Sequence, residues 1–384
     1  MFFKIKKNFF FYIISILIFF LILEVLLRVF KIEYPIFQRH DEIRGFSLLP
    51  KANGYWKREG NAFVKINSQG LRDKEHEFTK KNNIYRIAVV GDSFAEARSV
   101  NINNTFWYQI PKNLDQCCKF NKNIEMINFG VSEYGTAQQY LTIKNNVWKY
   151  DPDLILLAFY TGNDVADNKK ELSKKKYRPY FNIIDGKMTL DESFKLSKPY
   201  KILSSLPGRS FVYISQFSRI AQLFREAYVQ YYFSKQTNKN KVISKPNTSN
   251  LYNPSDPVWS DAWVVTENLL LMIKDEINSK NKDFVLVTLS NPIQVNPIQN
   301  EKNIFQQKNN VSDIFYPDKR LKEFSDSNQI KVVNVAKKMS MIAKEKKVYF
   351  HGFNNTKLGT GHWNIEGHRV GSKIISDELC KLFD

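Results

Sequence analysis

Residues 87–97 read Ile-Ala-Val-Val-Gly-Asp-Ser-Phe-Ala-Glu-Ala, an apolar run that stops abruptly at a Gly-Asp-Ser tripeptide. A short apolar run bounded by turn residues predicts a buried strand. A serine on a glycine turn at the carboxyl end of such a strand lies where an α/β sheet opens a cleft, so Ser93 is a candidate nucleophile. Gly, Asp and Ser are also common turn residues, and the tripeptide alone fits an ordinary strand-to-helix turn as well.

Strands and helices alternate on both sides of this stretch. Apolar runs that are separated by helices indicate a parallel sheet with both faces covered. The alternation pauses over residues 168–257, which we interpret as an insertion with a hairpin at Asp185-Gly186 and an aromatic-rich helical stretch over 211–233. The predicted strands are 84–90, 124–129, 153–159, 284–289 and 330–335, and the predicted helices are 105–114, 138–150, 260–279, 318–327, one near Lys337, and 365–382.

The first thirty residues have the composition of a membrane anchor. Residues 9–27 are almost wholly apolar, and as a helix they would span about 28 Å, close to the roughly 30 Å of a hydrocarbon core. No small-x-small cleavage site follows them, which favours a retained transmembrane helix over a cleaved signal peptide. Three lysines precede the span, so we expect a single-pass inner-membrane protein whose catalytic domain faces the periplasm. The predicted organisation is an anchor over 1–30, a lead-in over 31–83 and an α/β domain over 84–384.

The composition bears on partners and on cysteine chemistry. The formal net charge of +19 would suit an acidic partner, but the lysines are scattered among asparagines and no nucleic-acid motif accompanies them, so we expect no nucleic-acid partner. Cys117, Cys118 and Cys380 fit neither a zinc-binding spacing nor a Cys-x-x-Cys motif. In an oxidising compartment one of the adjacent pair could bond to Cys380, and three unpaired thiols are equally compatible with the sequence.

Three further segments join Ser93 at the expected edge of the sheet. Residues 128–136 (Asn-Phe-Gly-Val-Ser-Glu-Tyr-Gly-Thr) follow the second predicted strand, and 160–164 (Tyr-Thr-Gly-Asn-Asp) follow the third. Residues 362–368 (His-Trp-Asn-Ile-Glu-Gly-His) precede the last helix, with Asn364 as a candidate N-cap. Acyl transfer needs a nucleophile, a base and oxyanion donors, for which Ser93, His362, the Asn163 amide and backbone N–H groups are the candidates.

These four blocks resemble those of the SGNH hydrolase superfamily, also called GDSL esterases. The matching residues are Gly91-Asp92-Ser93, the loop 128–135, Gly162-Asn163-Asp164 and His362. The segment 66–73 and the His-Trp-Asn-x-x-Gly-His ending are similar to those of bacterial membrane-anchored SGNH proteins of cell-envelope type. The resemblance implies a flavodoxin-like three-layer fold, serine ester chemistry, and no metal or cofactor.

Two positions depart from the family pattern. Glu133 stands where the family places the glycine whose N–H joins the oxyanion hole, and a positive φ there would cost a glutamate about 1 kcal/mol or more. Its carboxylate would also have to turn away from the oxyanion, and Gly130 is a further candidate donor in the same loop. Thr360 and Gly359 stand where an acid normally precedes the histidine, so we expect a Ser–His dyad whose imidazole is oriented by a backbone carbonyl.

The sequence therefore predicts a membrane-anchored serine ester hydrolase or O-acyltransferase, with acyl (acetyl) esters of cell-envelope carbohydrate as the expected substrate. Two alternatives stay open. The first is a catalytically weak or inactive SGNH-fold protein that binds or assembles glycans, which Glu133 and the missing acid favour. The second is a lysophospholipase or lipid esterase that uses the basic surface and the aromatic insertion.

Overall fold

The computed structural model describes residues 2–117, 121–173, 175–239 and 248–383. We number the strands and helices of these residues in chain order. The strands are β1 (Gln38–Asp41), β2 (Gly45–Leu48), β3 (Asn53–Trp56), β4 (Ala62–Lys65), β5 (Ile84–Gly91), β6 (Asn123–Asn128), β7 (Leu154–Tyr160), β8 (Tyr180–Ile184), β9 (Lys187–Asp191), β10 (Asp283–Leu289) and β11 (Lys331–Asn334). The helices are α1 (Phe2–Val29), α2 (Ser93–Glu96), α3 (Phe106–Cys117), α4 (Thr136–Asn145), α5 (Asp164–Asp167), α6 (Lys170–Ser173), α7 (Lys198–Ser204), α8 (Leu206–Ile214), α9 (Arg219–Lys239), α10 (Pro257–Asn278), α11 (Gln299–Asn309), α12 (Tyr316–Ser327), α13 (Ala336–Lys346) and α14 (Ile365–Phe383).

Five strands form a parallel sheet in the order β11-β10-β7-β5-β6. Counted along the chain within this sheet, the order is 2-1-3-4-5, which is the flavodoxin-like doubly wound order. The order reverses between β5 and β7, and ligands of such folds bind at this switch point, beyond the carboxyl ends of the strands. The predicted α/β fold with a flavodoxin-like sheet is confirmed.

Both faces of the sheet are buried, and β7 shows why its sequence is continuously apolar. Ile155, Leu157 and Phe159 lie in a core cluster that also holds side chains of α4 and α10. The alternate residues of β7 lie in a second cluster, with side chains of α3, α13 and α14. Since successive strand residues point to opposite faces, a strand with helices on both sides needs apolar residues at every position. The three-layer prediction is confirmed.

Several boundaries differ from the predicted ones. The predicted helix over 138–150 is α4 followed by a 3₁₀ turn at Val147–Tyr150. The aromatic stretch over 211–233 belongs to two helices, α8 and α9, because Ser218 accepts a hydrogen bond from the Ala221 N–H and starts a new helix there. The hairpin at Asp185-Gly186 is present as β8 and β9. The lead-in contains two hairpins, β1-β2 and β3-β4.

The cysteine pairing that the sequence left open is resolved by a Cys117–Cys380 disulfide. It joins the end of α3 to α14, two helices that cover the same face of the sheet. Cys118 lies outside the described residues.

Among the described residues, one helix is long enough and apolar enough to cross a membrane. It is α1, over Phe9–Val29. Near its end, Glu24 accepts hydrogen bonds from the N–H groups of Arg219 and Ile220, at 3.0 and 3.1 Å. These N–H groups open helix α9 and have no partner within that helix, so the Glu24 carboxylate caps it. The apolar helix is thereby fastened to α9.

Candidate active site

Ser93 is the first residue of α2, directly after β5. The Asp92 carboxylate accepts a hydrogen bond from the Phe94 N–H at 2.9 Å and so caps this short helix. A Cβ on Gly91 would lie 2.8 Å from the Ala158 carbonyl oxygen of the neighbouring strand, which explains the glycine before the turn. The predicted strand, turn and serine are therefore built by local sequence and by close packing of two strands.

The Ser93 hydroxyl lies 2.8 Å from Nε2 of His362. On the other side of the ring, His362 Nδ1 is hydrogen-bonded to the Glu59 carboxylate, and the His362 backbone N–H donates to the same carboxylate at 2.7 Å. The expectation of a Ser–His dyad with a backbone carbonyl on the imidazole is thus wrong. The acid is present, but it comes from the loop between β3 and β4, about 300 residues before the histidine.

Glycines make room for this carboxylate. Gly361 has φ +73°, and a Cβ there would lie 2.0 Å from Glu59 Oε1. Asn355 fastens the two loops together, because its side chain accepts from the Gly60 N–H at 3.0 Å and donates to the carbonyls of Lys57 and Gly60. The position of Glu59 is therefore fixed by backbone contacts as well as by the imidazole.

The charges of this array favour a basic imidazole. Burial disfavours the charged form of His362, but the hydrogen bond and the negative charge of Glu59 outweigh it, so the pKa of His362 is raised above its ordinary value. Burial acts in the opposite sense on Glu59, where the contact with His362 outweighs it and lowers the pKa of the carboxyl. Glu59 therefore stays ionised while His362 accepts a proton.

A second buried histidine supports the loop instead of the chemistry. His351 Nδ1 lies 2.7 Å from the Gly361 carbonyl oxygen, and its Nε2 lies 3.3 Å from the Ser290 hydroxyl. Burial lowers the pKa of His351 to about 4. A neutral ring that donates to Gly361 holds the peptide immediately before His362 in place.

Glu133 adopts the conformation that its position demands, with φ +74°. Its side chain turns away from the serine loop, because Tyr177 donates a hydrogen bond to the carboxylate at 2.7 Å and Lys175 pairs with it at 3.2 Å. Arg178 also donates to the Glu133 carbonyl oxygen. Three contacts thus offset the strain of a left-handed glutamate, and they keep the carboxylate away from the oxyanion position.

The other proposed oxyanion donors differ in availability. Asn163 Nδ2 donates to the second oxygen of Asp92 at 3.1 Å, so one buried carboxylate orients both the serine turn and the amide. Burial raises the pKa of Asp92 to about 6. The Gly130 N–H is already bonded to Asn128 Oδ1 at 2.9 Å, and a Cβ on Gly130 would lie 2.6 Å from Ala95 Cβ. Gly130 therefore has a packing role against α2.

Sequence reasoning missed Glu59 because nothing near it marks a catalytic acid. It stands in Arg58-Glu59-Gly60, within a stretch rich in charge and turns. The sequence offers one indirect signal for it. No acid stands among the residues just before His362, so an acid that orients this histidine has to come from another part of the chain. Asn364 was correctly predicted, since its side chain accepts from the Gly367 N–H at 2.9 Å and caps α14.

No protein-family model matches the chain, and no curated protein matches it. Similar solved structures include a G-D-S-L family protein from Desulfitobacterium hafniense DCB-2, with 11% identity and a TM-score of 0.36 over 76% of this chain and 98% of that one. A catalytic mutant of an acetylxylan esterase from Geobacillus stearothermophilus matches with 11% identity and a TM-score of 0.38, over 77% and 94% of the two chains. The lipase/acylhydrolase from Enterococcus faecalis matches with 11% identity and a TM-score of 0.37, over 78% and 96%.

Proposed function

We propose that this protein is a serine ester hydrolase or O-acyltransferase of SGNH type. The observation that carries the proposal is the continuous hydrogen-bonded line from Ser93 through His362 to Glu59, with 2.8 Å between the hydroxyl and Nε2. A nucleophile, a base and an acid that orients the base are the groups that acyl transfer requires.

The proposed reaction proceeds through an acyl-enzyme. His362 Nε2 takes the proton of Ser93 while the hydroxyl oxygen attacks the ester carbonyl, and the oxyanion is held by the N–H groups of Ser93 and Glu133 and by the Asn163 amide. As the carbonyl re-forms, the ester C–O bond breaks and His362 returns the proton to the leaving alcohol. Water or a sugar hydroxyl, deprotonated by His362, then takes the acyl group from Ser93.

The geometry weighs against an inactive glycan-binding protein. That alternative rested on the missing acid and on a glutamate at the oxyanion position. Glu59 supplies an acid, and Glu133 has the required φ with its carboxylate bonded elsewhere. A protein that kept only a binding pocket would have no need of either arrangement.

For the substrate and the chain organisation we propose acyl (acetyl) esters of cell-envelope carbohydrate, an anchor over 1–30, a lead-in over 31–83, and an SGNH hydrolase-like domain over 84–384 with an insertion over 168–257. Glu59, which is hydrogen-bonded to His362, belongs to the lead-in. We therefore propose that the lead-in supplies part of the active site as well as connecting the anchor to the sheet.

Turnover of a panel of esters tests the function. With full-length protein in detergent, we expect hydrolysis or transfer of acetyl esters on mono- and oligosaccharides, with kcat/KM falling as the acyl chain lengthens. The Ser93→Ala protein sets the background. Absence of turnover above this background on every ester, with water and with a sugar as acceptor, would overturn the proposal.

We also propose a single-pass protein of the bacterial inner membrane whose catalytic residues face the periplasm. Besides the apolar helix α1, helices α8 and α9 and the turn between them expose large apolar side chains, and Leu206, Tyr213, Phe217 and Phe224 are each more than 60% exposed. Apolar side chains in such number mark a surface that contacts lipid or protein. The Cys117–Cys380 disulfide supports an oxidising compartment.

Protease accessibility tests this location. In spheroplasts of an expressing bacterium, external proteinase K is expected to digest the protein, whereas intact cells protect it. A cytoplasmic marker protein must stay intact in both samples. Protection in spheroplasts would contradict the orientation, and release from membranes by alkaline carbonate would contradict the anchor.

A further inference from the structure

A cavity of about 500 Å³ reaches the loop that carries the proposed oxyanion donor Glu133. Its wall includes Glu133, the chain from Phe30 to Gln38 directly after helix α1, and part of α9. Three arginines from three different segments also line it: Arg58, Arg98 and Arg225. The cavity therefore connects the oxyanion loop to the end of the apolar helix, and its wall carries three arginines and two lysines against three glutamates.

Arg98 is built into this wall and has a donor to spare. Its Nε donates to the buried Glu96 carboxylate at 2.5 Å, and its guanidinium lies 5.6 Å from the Trp56 ring centre. The Nη2 atom is buried and, among the residues that the structure describes, has no hydrogen-bond partner. An unsatisfied buried donor of a charged group costs free energy, and a bound acceptor would recover it.

Arg225 is the second arginine of the wall with unused donors. In the described part of the chain its side chain makes neither a hydrogen bond nor an ion pair, whereas Arg58 pairs with Glu226. Burial and the charges of Arg58 and Arg98 lower the pKa of Arg225, and they outweigh the opposite effect of the Glu226 and Glu133 carboxylates. This cluster of like charges is the environment that an anion would stabilise.

The acidic side chains of the wall each pair with a cation other than Arg98 and Arg225, and Arg98 itself pairs with the buried Glu96. Glu33 pairs with Arg219 at 2.6 Å, and Glu133 pairs with Lys175 at 3.2 Å. Glu226 is engaged by Arg58. Each carboxylate therefore has its own cation, and the side chains of Arg98 and Arg225 keep free donors.

We propose that this cavity is the anion subsite of the ester substrate, where Arg98 and Arg225 bind a carboxylate or phosphate of the molecule whose acyl ester reacts at Ser93. The inference rests on the proposed ester chemistry. Glu96 connects the two places, because one of its oxygens accepts from Arg98 Nε and the other accepts from the Ser132 N–H, next to Glu133, at 2.6 Å. Glu96 thus joins a guanidinium of the cavity wall to the loop that carries the Glu133 N–H.

The anion has two possible sources with the same chemistry. One is an acidic saccharide bearing its acyl group on a neighbouring hydroxyl, and the other is the phosphate of a lipid headgroup. A lipid could enter from the side of Phe30, which directly follows the apolar helix. Guanidinium groups bind carboxylate and phosphate alike, so the test needs both sources.

The kinetic test compares matched charged and neutral esters. The saccharide pair is acetylated glucuronate and acetylated glucose oligomers, and the lipid pair is lysophosphatidylglycerol and monoacylglycerol. For the wild-type protein we expect a higher kcat/KM for the charged member of one pair, and the pair that shows this preference identifies the source of the anion.

Arg225→Gln and Arg98→Gln are each expected to lower the ratio of kcat/KM for the charged ester to that for the neutral ester by about tenfold or more, since each removes a charge-assisted hydrogen bond. Arg369→Gln, at an exposed ion pair on α14, is the matched control and should leave the ratio unchanged.

A binding measurement separates this inference from the ester chemistry. Calorimetric titration of the Ser93→Ala protein with inorganic phosphate and with glucuronate should show binding that weakens about tenfold in the Ser93→Ala/Arg225→Gln protein. Equal kcat/KM values for the charged and neutral esters in the wild type would overturn the proposed subsite. Anion binding that is unaffected by both arginine changes would overturn it as well. If no ester reacts at all, the proposed function fails, and the titration still decides whether the anion site exists.

Discussion

Replacing Ser93 with alanine is expected to lower kcat/KM on acetyl esters by about 10⁴-fold or more, because the covalent route through the acyl-enzyme is lost. The fold should be retained. The Ser93 hydroxyl contacts the His362 ring as its hydrogen-bond partner, and it is only partly buried in the loop. Alanine therefore removes one hydrogen bond and leaves the packing of β5 and α2 intact.

A fluorophosphonate probe measures the same residue directly. The wild-type protein should be labelled covalently at Ser93, as peptide mass spectrometry would show, and the Ser93→Ala protein should not be labelled. Ser279→Ala changes an exposed serine at the end of α10 and serves as the control. Labelling that persists unchanged in Ser93→Ala would exclude Ser93 as the nucleophile.

Replacing Glu59 with glutamine should lower kcat by about 10³- to 10⁴-fold. The amide keeps the size of the side chain, but it carries no charge to stabilise the imidazolium, and its NH₂ group can favour the wrong tautomer of His362. Glu59→Asp keeps the charge on a shorter side chain, and it should retain more activity than Glu59→Gln. If Glu59 only held the loop in place, Glu59→Asp would not be more active than Glu59→Gln.

The pH profile gives a second measure of Glu59. Its carboxylate raises the pKa of His362, and the base acts only when neutral, so wild-type kcat/KM should fall as the pH drops through this raised pKa. Without the carboxylate the pKa of His362 falls, and the acidic limb of the residual activity should move to lower pH. Glu366→Gln, an exposed change on α14, should leave the limb in place. An unmoved limb in Glu59→Gln would show that Glu59 does not act on the base.

The sheet and most of the candidate site follow from local patterns. Ser93, Asn163 and the loop 128–136 could be placed because each follows an apolar strand, and the parallel order brings the carboxyl ends of strands to one edge. Asn364 could be placed because an N-cap is a local feature. These predictions need only the neighbouring residues and the rule that parallel strands share a direction.

Glu59 could not be placed in this way. Its contact with His362 spans about 300 residues and depends on how the β3-β4 hairpin docks, which is decided by tertiary contacts such as those of Asn355. The outward turn of the Glu133 side chain is a similar case, because Lys175 and Tyr177 lie beyond the next strand. The break between α8 and α9 is different: Ser218 was a visible N-cap signal inside a stretch that helical spacing alone made continuous.

The position of Glu59 also decides which fragments of this protein can be used in the laboratory. A soluble fragment designed to begin at β5 would contain the whole parallel sheet, Ser93 and His362, and would be the natural choice for crystallisation or inhibitor screening. It would nevertheless lack the acid, the Asn355-bound loop and much of the arginine-lined cavity. Activity measured on such a fragment would describe a protein that lacks part of the proposed active site. A shortened protein that omits only the apolar helix should instead begin soon after Val29.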